Sequence, residues 1–97
     1  MNAYLIFDIE IHDLMVFKSY AAEIPTFVKK HSGRHLTLGA EPESIEGNWE
    51  PKRLVIIEFP SKENAQEFLN DSDAQPVFAI RHKSTTSKLV LVEGCIS

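Results

Sequence analysis

The chain has 97 residues, 43% hydrophobic and 25% charged, the balance of a folded water-soluble domain rather than of a disordered one. Its 14 acidic residues outnumber its 10 lysines and arginines, for a net charge of −4, so a nucleic-acid partner, which calls for a basic face, is not expected. No stretch approaches the roughly 20 apolar residues that cross a bilayer, the N-terminal apolar run stops at Asp8, and the lone Cys95 has no disulfide partner; the expectation is one domain over residues 1–97, in the cytoplasm, with no membrane association.

Ala3 to Ile11 is rich in β-branched and aromatic residues and reads as the first strand. Asp13 is a helix N-cap, and Phe17, Tyr20, Ala21, Ile24, Phe27 and Val28 then recur at spacings of three and four, an amphipathic helix whose stripe faces the core. Pro25 falls inside that stripe and should kink or break it. Ser32-Gly33 ends the helix, after Lys29, Lys30 and His31 have placed positive charge at its C-terminus. Arg34 to Glu41 reads as a second strand, Pro42 to Lys52 as a long connection, and Arg53 to Phe59 as the strongest strand. Ser61 followed by Asn64 opens a second helix with Ala65, Phe68 and Leu69 on its apolar side. Asn70 to Pro76 interrupts, Val77 to His82 adds a helical turn or two, and Ser87 to Gly94 is the last strand.

The order strand, helix, strand, strand, helix, strand fits an α+β fold of the ferredoxin-like βαββαβ kind, a four-stranded sheet of antiparallel type with two helices on one face. Strands one and three are expected side by side and parallel. Alternation divides the side chains into two faces. Leu5, Phe7, Ile9, Val55, Ile57, Phe59, Val90 and Val92 form a wholly apolar set, assigned to the helices. Tyr4, Ile6, Asp8, Leu54, Ile56, Glu58, Leu89, Leu91 and Glu93 form the other, apolar but for an acid ending each strand. That much apolar surface needs a cover, and a second copy of the chain is the expected one, giving a homodimer.

The segments Ser32-Gly33-Arg34, Ile45-Glu46-Gly47-Asn48-Trp49-Glu50-Pro51-Lys52-Arg53 with Glu58-Phe59-Pro60-Ser61, Gln75-Pro76 with Ala79-Ile80-Arg81, and Leu91-Val92-Glu93-Gly94 resemble the domain-of-unknown-function family 1330 over nearly the whole chain. The resemblance implies a dimeric α/β-barrel fold, in which two ferredoxin-like chains pair sheet to sheet, and no particular activity. The wider superfamily includes small monooxygenases, isomerase-like enzymes and haem-handling proteins that hold ligands between sheet and helices. Similar sequences tend to have an arginine where Leu38 stands, a glycine at Ala40 and tyrosines at Leu69 and Ala74, which implies a greasier or differently selective pocket here.

Candidate chemistry gathers at the acidic strand ends. Asp8 and Glu58, at equivalent heights on parallel strands, would repel and raise one pKa toward general acid–base use, unless they pair with Arg34, Arg53 or Arg81. If Leu36 and Leu38 face the helices, His35 joins Glu58 as a proton-transferring couple. Trp49 is either a lid over a cleft or an anchor on the core or interface. Arg34, Glu46, Arg53 and Arg81, within the resembling segments, either hold an anionic ligand or knit loop to sheet. No metal is expected, because no His or Cys pair has ligand spacing, and no cofactor, because no phosphate loop, dinucleotide fingerprint or nucleophile elbow is present. Two readings follow: a protein that binds a small molecule between sheet and helices, with cofactor-free catalysis as one form of that reading, and a non-catalytic interaction module of the same fold.

Overall fold

Alternating hydrophobics and two capping side chains set the elements. In a computed structural model, which describes residues 1–96, these are β1 (Ala3–Ile11), α1 (Leu14–Lys30), β2 (Arg34–Leu38), β3 (Arg53–Phe59), α2 (Lys62–Leu69), α3 (Gln75–Ser84) and β4 (Thr85–Glu93). Asp13 caps α1, its carboxylate accepting from the Val16 amide at 3.1 Å, and Ser61 caps α2, its hydroxyl accepting from the Asn64 amide at 3.1 Å. The helical turn expected after Asn70 is a full third helix, α3, with Pro76 in its first turn, where a missing N–H costs nothing. α1 runs on through Pro25, which leaves the Ala21 carbonyl without its helical donor. β2 stops at Leu38 rather than at Glu41.

The sheet order is β2-β3-β1-β4, and every adjacent pair is antiparallel. This corrects the parallel pairing expected for β1 and β3. α1 carries the chain back so that β2 runs with β1; the return into β3 reverses direction, and β3 slots between them. Tyr4 therefore lies opposite Glu58, and Asp8 opposite Leu54.

Ala3, Leu5, Phe7 and Ile9 of β1 and Ile57 and Phe59 of β3 are buried beneath the helices, against Tyr20, Ile24 and Val28 of α1, Phe68 of α2 and Phe78 of α3. Each large side chain so buried contributes about 1.5–3 kcal/mol. The Phe68 ring sits 5.3 Å from Phe59 and 5.2 Å from Phe78, linking β3, α2 and α3. Asp71, just past α2, accepts from Lys30 Nζ at 2.8 Å and His31 Nε2 at 2.7 Å, clasping the end of α1 to the turn between α2 and α3.

The faces of β4 are the reverse of those expected. Leu91 lies opposite Leu5 and Leu89 opposite Phe7, so both leucines pack on the core. Val90 and Val92 turn to the open side, 58% and 47% exposed, beside Ile6 and Tyr4. The open face keeps its apolar character, built from Ile6, Leu54, Ile56, Val90 and Val92.

Candidate functional site

The antiparallel register separates the two strand-end acids. Glu58 accepts from Arg34 Nε at 2.7 Å, and that hydrogen bond holds its carboxyl below the usual carboxylate range. The same carboxylate pushes the neighbouring Tyr4 phenol up. A charged, ion-paired Glu58 is not poised to take a proton near neutral pH. Asp8, at the other end, accepts from the Trp49 indole Nε1 at 2.8 Å. Trp49, 57% exposed, thereby roofs an open groove of about 310 Å³ that also touches Glu10, Lys52 and Lys88. The expected carboxylate pair does not form.

His35 is redirected by a β-bulge. His35 lies opposite Ile57, Thr37 opposite Ile56, and Leu36 is the unpaired extra residue. The Thr37 hydroxyl fills the irregularity, donating to the Leu54 carbonyl at 2.8 Å and accepting from the Ile56 amide at 2.9 Å. His35 consequently faces α1, away from Glu58, which corrects the expected couple. There it lines a narrow cleft of about 80 Å³ between α1 and the sheet, walled by Phe7, Phe17, Tyr20, Ile24 and Val55. Burial pushes the imidazole pKa down, so the ring is neutral at pH 7 and can accept a proton from a bound molecule. Leu38 lines the same cleft and leaves its mouth apolar.

Behind the cleft lies Arg81, 5% exposed. Its guanidinium carbon sits 5.0 Å from the Phe7 ring centre, 5.6 Å from Tyr20 and 5.7 Å from Phe78. Nη1 donates to the Tyr20 hydroxyl at 3.3 Å and Nη2 reaches His82 Nε2 at 3.2 Å, while Nε is buried without an acceptor. Among the described residues no carboxylate pairs with it. Contacts with the three rings contribute about 2 kcal/mol when desolvated, against a burial cost of several kcal/mol for an unpaired ion. Burial pushes the Tyr20 phenol up although Arg81 pulls it down, so Tyr20 stays protonated and can donate its proton as a hydrogen bond.

Tyr20 is the residue that sequence reading overlooks, since it falls in the core stripe of α1. Its signal is chemical: a buried tyrosine hydroxyl needs a partner. The remaining named residues lie elsewhere. Arg34 pairs with Glu58 on the open face. Glu46 and Trp49 belong to a second open groove, beside the connection between β2 and β3. Arg53 packs its stem on Gly39 and donates from Nη1 to the Gly39 carbonyl at 3.4 Å, knitting that connection to the sheet. Among the described residues no three His, Cys, Asp or Glu side chains cluster as a metal site, and no helix is long and apolar enough to cross a membrane.

Comparison with known proteins gives a family and a fold. The model of a family described as a domain of unknown function, DUF1330, matches residues 2–95. A protein of unknown function from Rhodopseudomonas palustris is similar in structure with a TM-score of 0.80 at 12% identity, over 99% of this chain and 84% of that one. SnoaB, a cofactor-independent oxygenase from Streptomyces nogalater, is similar with a TM-score of 0.73 at 16% identity, over 99% and 95% of the two chains. An ethyl tert-butyl ether (EthD) family protein from Bacillus halodurans gives 0.57 at 14% identity, over 97% and 99%. No curated protein matches the chain. At these identities the likeness is one of fold.

Proposed function

The chain belongs to the domain-of-unknown-function family 1330, and from that premise we propose that it is a cytoplasmic homodimer of ferredoxin-like, dimeric α/β-barrel type that binds a small molecule in the cleft between α1 and the sheet. The observation that carries the ligand reading is the cleft itself. A neutral histidine faces into an apolar slot whose far wall, Phe7 and Tyr20, is backed by an unpaired guanidinium. A core built for stability alone has little use for either group. The fold is also that of SnoaB, a cofactor-independent oxygenase, which supports a cofactor-free role for His35 as the base that takes a proton from the bound molecule. The dimer reading rests on the exposed valines of β4 and the apolar rows beside them. The lone exposed thiol of Cys95 suits a reducing compartment.

The test is a fragment titration of isotope-labelled protein followed by NMR. Binding should move the His35, Tyr20, Ala21 and Val55 resonances together, and Ala21→Trp, which fills the slot, should abolish the shifts. Shifts confined to the Trp49 grooves would overturn the assignment.

A second reading, a dimeric module without chemistry, is favoured by the size of the cleft. About 80 Å³ is well below the roughly 300 Å³ of ordinary ligand pockets. On that reading no fragment enters the cleft, while the dimer is unaffected.

A further inference from the structure

We infer that the α1 cleft receives an uncharged phenol, whose hydroxyl donates to His35 while its ring lies against Phe7, Phe17 and Tyr20. The inference rests on the cleft reading above and adds the chemical class. The chain has four histidines, and three have side-chain partners: His12 meets Thr86 Oγ1 at 2.6 Å, His31 meets Asp71 at 2.7 Å, and His82 meets Arg81 Nη2 at 3.2 Å. The fourth, His35, hydrogen-bonds through its ring to no group among the described residues, although it is the histidine that lines an apolar cleft. A half-buried imidazole without a partner is a group to which a bound molecule supplies the missing hydrogen bond.

The lining decides the charge and shape of that molecule. No aspartate, glutamate, lysine or arginine lines the cleft, so an ion entering it would shed water without meeting a counter-charge. Carboxylates, phosphates and ammonium ions are thereby selected against. Burial keeps the imidazole neutral, with one nitrogen able to accept. The backbone adds an acceptor, since Ala21 and Pro25, the two ends of the helical hydrogen bond that proline cannot make, both line the cleft. Acceptors on both walls favour a ligand that donates. A phenolic O–H titrates at about 10, as tyrosine does, so it enters uncharged at pH 7 and is still acidic enough to be the proton that His35 takes. Phe17 and Tyr20, tilted 43° with ring centres 5.5 Å apart, and Phe7 beside them offer a planar guest the offset and edge contacts that an aliphatic alcohol cannot use. The slot of about 80 Å³, against roughly 150 Å³ for a cavity that encloses benzene, takes one ring with part of it at the mouth and refuses a fused ring system.

The experiment titrates the full chain with phenol, anisole and benzoate, which share a ring and differ in the donor and the charge, and follows binding by NMR. Phenol is expected to bind more tightly than anisole, despite the additional methyl of the ether, and at least about tenfold more tightly than benzoate. In His35→Leu the ratio of phenol to anisole affinity should fall about fivefold, the worth of one net hydrogen bond, while anisole still binds. In the wild type, phenol should move the resonance of the accepting ring nitrogen of His35, which anisole leaves in place. Should His35→Leu fail to fold, the wild-type affinities and the ring-nitrogen shift decide. A phenol-to-anisole ratio unchanged in His35→Leu, a ring nitrogen that phenol does not move, or a preference for benzoate overturns the phenol inference and leaves the cleft reading intact. Absence of binding by all three overturns both.

Discussion

The Trp49 indole donates to the Asp8 carboxylate at 2.8 Å, fastening the long connection between β2 and β3 to β1. Trp49→Phe keeps a ring and removes that bond. A net loss of about 0.5–1.5 kcal/mol is expected, read as a fall in Tm of about 4–8 °C per kcal/mol for a chain this size. Asp8→Asn keeps an acceptor and should lose less. Limited proteolysis should cut the Pro42–Lys52 segment faster in Trp49→Phe than in wild type; identical cleavage would mean that the bond does not secure the loop.

The open face carries a second prediction. Val90 and Val92 project beside Ile6 and Tyr4, where a second sheet would bury them. Sedimentation of the wild type should give twice the chain mass of 11.0 kDa, and Val90→Lys should give the single-chain mass with an unchanged far-ultraviolet spectrum. A wild type that stays at 11.0 kDa at every concentration would remove the dimer.

The residues show why some of this is legible in the sequence and some is not. β1 and β3 declare themselves by alternation, and Asp13 and Ser61 cap helices where their chemistry says they should. The phase of β4 is not readable, because Leu89-Val90-Leu91-Val92 is apolar in both registers and Glu93 offers a false match to Asp8 and Glu58. The direction of β3 is a consequence of the whole path, not of any local signal. The bulge at Leu36 then turns His35 to the other face, an inversion that one extra residue always produces. His35 and Arg81 can be named from sequence, but Tyr20 reads only as core until Arg81 is seen beside it.

Gly33 marks a steric requirement rather than a conformational one. A Cβ there would lie 2.6 Å and 2.9 Å from atoms of the fully buried Phe59 ring and 3.0 Å from Val28 Cγ1. Gly33→Ala should therefore destabilise by about 1–3 kcal/mol, as overpacked sites do. Gly47→Ala meets nothing within 4 Å but has φ +85°, so its cost is backbone strain of about 1 kcal/mol. Denaturant melts should rank Gly33→Ala as the more damaging. The reverse order would mean that the Phe59 ring can yield.

Asp71 sets an acid limb. Hydrogen bonds from Lys30 and then His31 hold its carboxyl far below the ordinary carboxylate range. In the unfolded chain the same group titrates near 3.9. The folded state thus binds the proton more weakly, and its contribution is fully present above about pH 4 and is lost as the pH falls below that. Glu58, depressed by Arg34, loses stability in the same direction, so wild type alone cannot separate the two. Asp71→Asn does. Its urea midpoint should fall well below wild type at about pH 6, and the gap should narrow at about pH 3, where the unfolded wild-type chain takes up a proton at Asp71 that the folded state still refuses. Because the substituted amide cannot titrate, the variant's residual acid sensitivity reports Glu58 and the remaining acids. A gap of equal size at both pH values would show that the clasp between α1 and the α2–α3 turn holds by packing rather than by charge.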